Sequence, residues 1–326
     1  MKVAVVGCGA LGSFYGARLC RSGEEVHFLL RSDYEVVRRQ GVCIRSIDGD
    51  FQVRPQCACQ PGDIGVADLV LIGLKTTANQ EFSRLLPPLT GPNTLIITLQ
   101  NGLGNEEQLA AVVNADNILC GLCFVCLNRL EPGVIRHTAH GRIILGEYQR
   151  PALPRTRQLA ELFQRSGTPC EVTQNLEQAH WEKLVWNIPF NGLGVAGVAG
   201  YEALITGQCP MHRVWGPCLA TDLLLADPKW EQLVREVMRE VLHTANALGY
   251  RLSFDLEEQN IVRTRCMGTY KASTLIDFER GFPLELDGLF LRPLAQARQA
   301  GIAAPRLSAM CEILKKLDPG TKTMGA

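Results

Sequence analysis

The spacing of apolar residues changes character along the chain. The first half carries short apolar runs: "KVAVV" from Lys2, "EVHFLL" from Glu25, "LVLIGL" from Leu69, "TLIITL" from Thr94 and "NILCGLCFVCL" from Asn117. Runs of this length, bounded by glycine and polar residues, predict buried strands of a parallel sheet. "GVIRHTAHGRIILGE" reads as two short strands around a turn, with His137 and His140 in or near it as structural or surface residues. After about residue 173 the strand pattern fades. "AHWEKLVWNIPF", "DPKWEQLVREVMREVLHTANALGY", "DLEEQNIVRTRCMGTYKASTLIDFERG" and "LDGLFLRPLAQARQAG" have helical period or composition. Asp227 is the expected N-cap of the second, with Pro228 in its first turn. Gly249, Gly281 and Gly301 stand where helices should stop.

The first run leads into "GCGALG". Gly7, Gly9 and Gly12 are spaced G-x-G-x-x-G between a strand pattern and a helix pattern. In that context the spacing predicts dinucleotide binding. Gly7 permits the turn, Gly9 lets a pyrophosphate approach, and Gly12 lets helix and strand pack. Gly7, Cys8, Gly9, Ala10, Leu11 and Gly12 are therefore expected to line the phosphates, at the N–H-rich start of a helix. The predicted architecture is an α/β Rossmann-type N-terminal domain over residues 1–173, followed by an all-α C-terminal domain over residues 174–326. The junction of two such domains is the default place for a site.

Three further positions belong to the first domain's ligand edge, because open parallel sheets bind ligands beyond the carboxyl ends of their strands. The second strand ends at Leu30-Arg31-Ser32 rather than at an acid. A guanidinium about 20 residues past the fingerprint suits a 2′-phosphate, so Arg31 points to NADP(H). The alternative is a solvated Arg31, with Asp33 left to bind the ribose. Lys75 and Asn101 end two more strands and point toward the cofactor.

Composition narrows the function. The chain has 326 residues, enough for two domains, and 46% hydrophobic content, enough to fill their cores. Thirty-three basic residues balance 33 acidic ones. That leaves no charge excess for nucleic acid or a membrane surface. Neither a leader pattern nor an apolar run of membrane-spanning length is present, so a cytoplasmic location is expected. The 13 cysteines include Cys120, Cys123 and Cys126, three apart on a strand pattern. Alternation would send them to opposite faces, so reduced structural thiols are expected and no metal site.

In "HWEKLVWNIPFNGLGV", Lys183, Asn187 and Asn191 recur every fourth residue among Trp181, Leu184, Trp186, Ile188 and Phe190. On a helix they share an arc of about 80° with His180. A solvated face would be wider and richer in charge. A narrow lysine–amide seam suits a small polar ligand; an inter-helix hydrogen-bond network is the alternative. Pro189 removes one helix N–H and predicts a bend between the two amides. Ser273 and Asp277 share a face of another expected helix, and Glu285 lies between two leucines.

These features together resemble the 2-dehydropantoate 2-reductases, or ketopantoate reductases, over the whole chain. The likeness rests on "VGCGALG", Arg31, "LKT" at Lys75, "LQNGLGNEE" at Asn101, "PGVIRHT", "WEKLVWN" at Lys183 and "LELDGL" at Glu285. It implies Lys183 as general acid and Glu285 as an acid near substrate and cofactor. Asn187, Asn191 and Ser273 become substrate-binding groups. Lys75 and Asn101 lie beside the nicotinamide, with Asn101 also toward the substrate, and Asp277 is an acidic neighbour. Two departures, Tyr201 in place of a family asparagine and the run Asp287-Gly288-Leu289-Phe290-Leu291 after Glu285, bear on the substrate more than on the reaction type.

The implied activity is NADPH-dependent reduction of a small 2-oxo acid, with 2-dehydropantoate first among candidates. A related reductase acting on another oxo or hydroxy acid, or a non-catalytic NADP(H) sensor, are the alternatives. The chemistry fits the residues. A ketone accepting hydride needs its oxygen polarised and then protonated, and an ammonium does both. Desolvation of Lys183 among tryptophans would ease release of that proton. A homodimer is compatible with the sequence but not specified by it.

Overall fold

The computed structural model describes residues 1–208 and 216–322, and the chain forms two compact units, Met1–Leu176 and Glu177–Ala326. The first is built on ten strands. In chain order these are β1 (Lys2–Val6), β2 (Glu25–Leu29), β3 (Val42–Ser46), β4 (Phe51–Val53), β5 (Gln56–Ala58), β6 (Leu69–Ile72), β7 (Leu95–Thr98), β8 (Ile118–Glu131), β9 (Val134–Glu147) and β10 (Cys170–Val172). Their order across the sheet is β4-β3-β9-β8-β7-β6-β1-β2-β5, with β10 beside β9. From β5 through β8 every pairing is parallel, and β8 and β9 then form an antiparallel pair.

The apolar runs are continuous because both faces of this sheet are covered. Val3 and Val5 pack with Phe14 and Tyr15 of helix α1 (Ala10–Arg21), while Ala4 and Val6 pack with Ile64, Phe82 and Leu89 on the other side. A strand with no wet face has no reason to alternate. β1 lies between β2 and β6, where the strand order reverses. The carboxyl ends of the strands around that point are where this architecture receives ligands.

The segment expected to hold two short strands and a turn is one strand, β9, paired with β8 along its length. His140 (φ +63°) and Gly141 (φ +125°) form a bulge, and the register shifts there. A bulge and a turn draw on the same left-handed residues, so the sequence pattern does not separate them. His137 is buried, as a structural residue should be. Its Nδ1 is 2.8 Å from Ser46 Oγ, and its Nε2 lies 3.1 and 3.0 Å from the Ala139 and His140 carbonyls.

The second unit is helical, and among the described residues no strand follows Val172. The helix Leu176–Ala196 runs unbroken through Pro189. A Cβ on its Gly192 would sit 2.3 Å from Met310 Sδ, so the last long helix (Pro305–Leu317) packs its Met310 side chain directly onto this glycine. That helix starts against Glu240, whose carboxylate accepts the Arg306 and Leu307 N–H groups at 2.9 and 2.8 Å. Helix Pro228–Ala247 starts as expected, with Asp227 accepting the Lys229 N–H at 2.8 Å. The stretch of helical composition from Asp255 to Gly281 forms two helices, Asp255–Arg265 and Ser273–Glu279. Gly268, at φ +63°, lies in the connection, where a right-handed helix cannot continue.

All 12 described cysteines are free thiols, with Cys120, Cys123 and Cys126 buried in β8, while Cys209 lies outside the described residues. Among the described residues no helix is long and apolar enough to cross a membrane.

Candidate active site

β1 stops at Val6 and α1 starts at Ala10, so Gly7, Cys8 and Gly9 make the turn. Gly7 has φ +94°, and a Cβ on it would lie 2.3 Å from the Leu74 nitrogen. A Cβ on Gly12 would lie 2.3 Å from the Gly7 carbonyl oxygen, and one on Gly73 2.8 Å from the Gly12 nitrogen. Gly73, just past β6, is the third member of this interlock. Nothing in the sequence pattern marks it, because a glycine at the end of "LVLIG" gives no sign of what crosses it.

Gly9 is different. Its φ −75° and ψ −157° suit any residue, and a Cβ there would meet nothing within 4 Å. Neither backbone nor packing calls for glycine at this position. What it preserves is open space before a helix whose first turn has no acidic residue and no side-chain cap. Uncapped N–H groups at a helix start with room in front of them fit a pyrophosphate. The loop is held from behind. Ser13 Oγ donates to the Cys8 carbonyl at 2.9 Å, and the Cys8 thiol donates to the Val5 and Leu29 carbonyls at 3.5 and 3.6 Å. Burial, with smaller contributions from Cys57 and Asp33, pushes that thiol well above its usual pKa. It serves as a weak donor, not as a thiolate.

The β1–β2 register pairs Val6 with Leu29, which sets Leu30, Arg31 and Ser32 beside the glycine loop. Arg31 and Ser32 are exposed, whereas Asp33 is buried. Both Asp33 carboxylate oxygens accept from Arg129 Nη2, at 2.6 and 2.7 Å, and Ser32 Oγ donates to Oδ1 at 3.0 Å. The carboxylate that was the alternative ribose ligand is already engaged.

Lys75 is exposed beyond the end of β6, in extended backbone ahead of the short helix Thr76–Glu81. Asn101 follows β7 and is partly buried. Its main chain is fixed by a run of buried amides. Thr98 Oγ1 donates to Gln100 Oε1 at 3.0 Å, Gln100 Nε2 to Asn79 Oδ1 at 2.7 Å, and Asn79 Nδ2 to Asn105 Oδ1 at 3.1 Å. Asn105 Nδ2 then donates to the Asn101 carbonyl at 3.1 Å. Of these, Asn79 and Asn105 passed unnoticed in the sequence. Buried amides leave no periodic trace, although the polar cluster "QNGLGN" right after a buried strand was a usable signal. The loop, Arg31, Lys75 and Asn101 thus share one end of the sheet, at the carboxyl ends of β1, β2, β6 and β7.

In the helical unit the polar seam is buried: Lys183 is 8% exposed, Asn187 7% and Asn191 3%. Its far end is tied to a second helix. Asn191 Nδ2 donates to the Asn187 carbonyl at 2.9 Å, while its Oδ1 accepts the Thr274 N–H at 3.1 Å and the Ser273 hydroxyl at 3.3 Å. No side chain of helix Ser273–Glu279 itself caps its start. Asn191 does so from outside, which also sets the Ser273 side chain. Ser273 and Asp277 are partly buried on this helix. Glu285, 8% exposed, lies between Leu284, whose N–H donates to Asp318 Oδ1 at 2.9 Å, and a π-helical turn at Asp287–Leu291. The departures from the family pattern have local explanations. Leu289 and Phe290 are core residues, Asp287 pairs with Arg292 at 2.8 Å, and Tyr201 packs edge-on to Trp230 at 5.6 Å.

Comparison with known proteins gives concordant matches. Residues 3–150 match the family described as "Ketopantoate reductase PanE/ApbA", and residues 216–318 match its C-terminal counterpart. A 2-dehydropantoate 2-reductase of Nostoc sp. is 36% identical, over 99% of this chain and 97% of the relative. A crystal structure of 2-dehydropantoate 2-reductase from Geobacter metallireducens GS-15 has a TM-score of 0.88 at 43% identity, covering 97% of this chain and 99% of that one. The corresponding structure from Methylococcus capsulatus has a TM-score of 0.84 at 33% identity, covering 100% and 99%.

Proposed function

The chain belongs to the ketopantoate reductase family, oxidoreductases acting on CH–OH donors, and we propose that it reduces 2-dehydropantoate to pantoate with NADPH. The carrying observation is the buried lysine–amide seam in a chain whose other unit has an uncapped glycine loop with open space at Gly9. NADPH is the family's reductant, and when bound it supplies a hydride from C4 of its nicotinamide.

The chain's own residues divide the remaining work. The glycine loop and the start of α1 hold the pyrophosphate, and Arg31 holds the 2′-phosphate. Lys75 and Asn101 hold the nicotinamide end. Lys183 polarises the ketone oxygen as negative charge develops and gives it a proton. Asn187 and Ser273 hydrogen-bond the carboxylate or hydroxyl of the substrate without adding a charge to a buried site. Asn191 contributes chiefly by orienting Ser273. Glu285 accepts from a substrate hydroxyl and balances the Lys183 charge. NADPH consumption with 2-dehydropantoate, beside a panel of other small 2-oxo acids, tests this. Turnover highest with 2-dehydropantoate supports the reading. A clear preference for another oxo acid would move the chain to a sister activity, and tight NADPH binding with no turnover on any acid would leave a sensor.

A further inference from the structure

The pair Asp33–Arg129 has no part in the chemistry above, yet it stands at the position that sorts NADPH from NADH. In dinucleotide-binding sheets an acid at the end of the second strand is the group that takes the ribose diol of NAD and repels a 2′-phosphate. This chain has such an acid four residues beyond the end of β2, adjoining Arg31 and Ser32. Asp33 also lies close enough to the glycine loop to raise the Cys8 pKa. It occupies the N-cap position of helix α2 (Tyr34–Gln40), but its side chain does not cap that helix. Its two oxygens turn instead to Arg129 Nη2, at 2.6 and 2.7 Å, from near the end of β8. An aspartate that forgoes its own cap for a cation 96 residues away is held by that cation.

We infer that Arg129 is a cofactor-specificity residue: by neutralising and holding Asp33, it silences a latent NAD-type acid and leaves Arg31 in charge of the 2′-phosphate. The inference rests on the assignment of Arg31 to that phosphate. Without Arg129, Asp33 would carry an uncompensated negative charge beside a dianionic ligand. Repulsion between like charges in one binding region, partly screened, is expected to weaken binding by about tenfold. A ribose diol, by contrast, gains an acceptor. Arg129 therefore affects the two coenzymes unequally, which a purely structural ion pair would not do.

The experiment measures KM for NADPH and for NADH in the full-length enzyme and in five variants. Arg129→Gln should raise KM for NADPH about tenfold while KM for NADH stays level or falls. Arg129→Lys should restore most of the preference, and Arg129→Gln combined with Asp33→Asn should recover NADPH binding, since no charge is then left to repel. Equal changes for both coenzymes in Arg129→Gln, or no recovery in the double variant, would overturn the inference. Should Arg129→Gln fail to fold, Asp33→Asn carries the test. It frees Arg129 beside the phosphate, so the preference for NADPH should rise, and an unchanged or lowered preference counts against the proposal. Arg31→Ala separates the two levels. If it leaves the preference intact, the 2′-phosphate assignment and the inference fall together. If it abolishes the preference while Arg129→Gln leaves it intact, only the inference falls.

Discussion

Replacing Asn191 by alanine separates two roles that the sequence assigns alike to the seam amides. Asn191 carries three hydrogen bonds: to the Asn187 carbonyl at 2.9 Å, from the Thr274 N–H at 3.1 Å and from the Ser273 hydroxyl at 3.3 Å. Alanine leaves the Thr274 N–H, on a buried residue at the start of a helix, without its acceptor. Losing a cap costs about 1 kcal/mol, and stranding a buried donor costs about 1–3 kcal/mol, with the two figures overlapping for a single N–H. A net loss of about 2 kcal/mol is expected. In a unit of this size that corresponds to a fall of about 4–8 °C in the melting transition of the helical unit. The same change frees the Ser273 side chain, so KM for the oxo acid should rise several-fold while KM for NADPH stays put. Thermal unfolding and steady-state kinetics read the two effects. Unchanged stability with a large rise in KM would refute the capping role and make Asn191 a plain substrate ligand.

Other consequences follow from the glycine loop and from His137. Gly12→Ala should destabilise the first unit, because its Cβ would press on the Gly7 carbonyl at 2.3 Å, whereas Gly9→Ala should leave the unfolding transition in place and weaken NADPH binding about tenfold or more; a Gly9→Ala enzyme with normal NADPH affinity would remove the phosphates from this turn. Burial lowers the His137 pKa from its ordinary 6.5, against smaller opposing effects of the His140 and Ala139 carbonyls and Asp48. The folded state thus favours the neutral ring. Its stabilising contribution is full above about 6.5, and is lost as pH falls from there toward the folded-state value while the unfolded chain takes up the proton. Urea midpoints measured from pH 8 to 5 should fall more steeply for the native protein than for His137→Asn; parallel curves would contradict this.

Much of the architecture was legible because it follows from burial. A sheet covered on both faces writes itself as unbroken apolar runs such as "LVLI" and "TLIIT", and the change to helical period marked the second unit. Boundaries controlled by a single residue were harder. His140 and Gly141 read as a turn but make a bulge within one strand, and Gly268 divides one stretch of helical composition. At the site, residues whose chemistry is unusual for their surroundings stood out: a lysine between tryptophans, glycines at fixed spacing. Residues that act by holding others did not. Gly73, Asn79, Arg129 and Asp318 exert their effects across 21 to 96 residues of sequence, through contacts that only the fold creates, and Asn105 holds Asn101 from the end of the same loop.

The most direct test of the central claim sets the native enzyme beside Lys183→Ala, in NADPH oxidation with 2-dehydropantoate. Loss of the proton donor should lower kcat by about 100-fold or more while NADPH binds as before. Near-native turnover in Lys183→Ala would contradict the account.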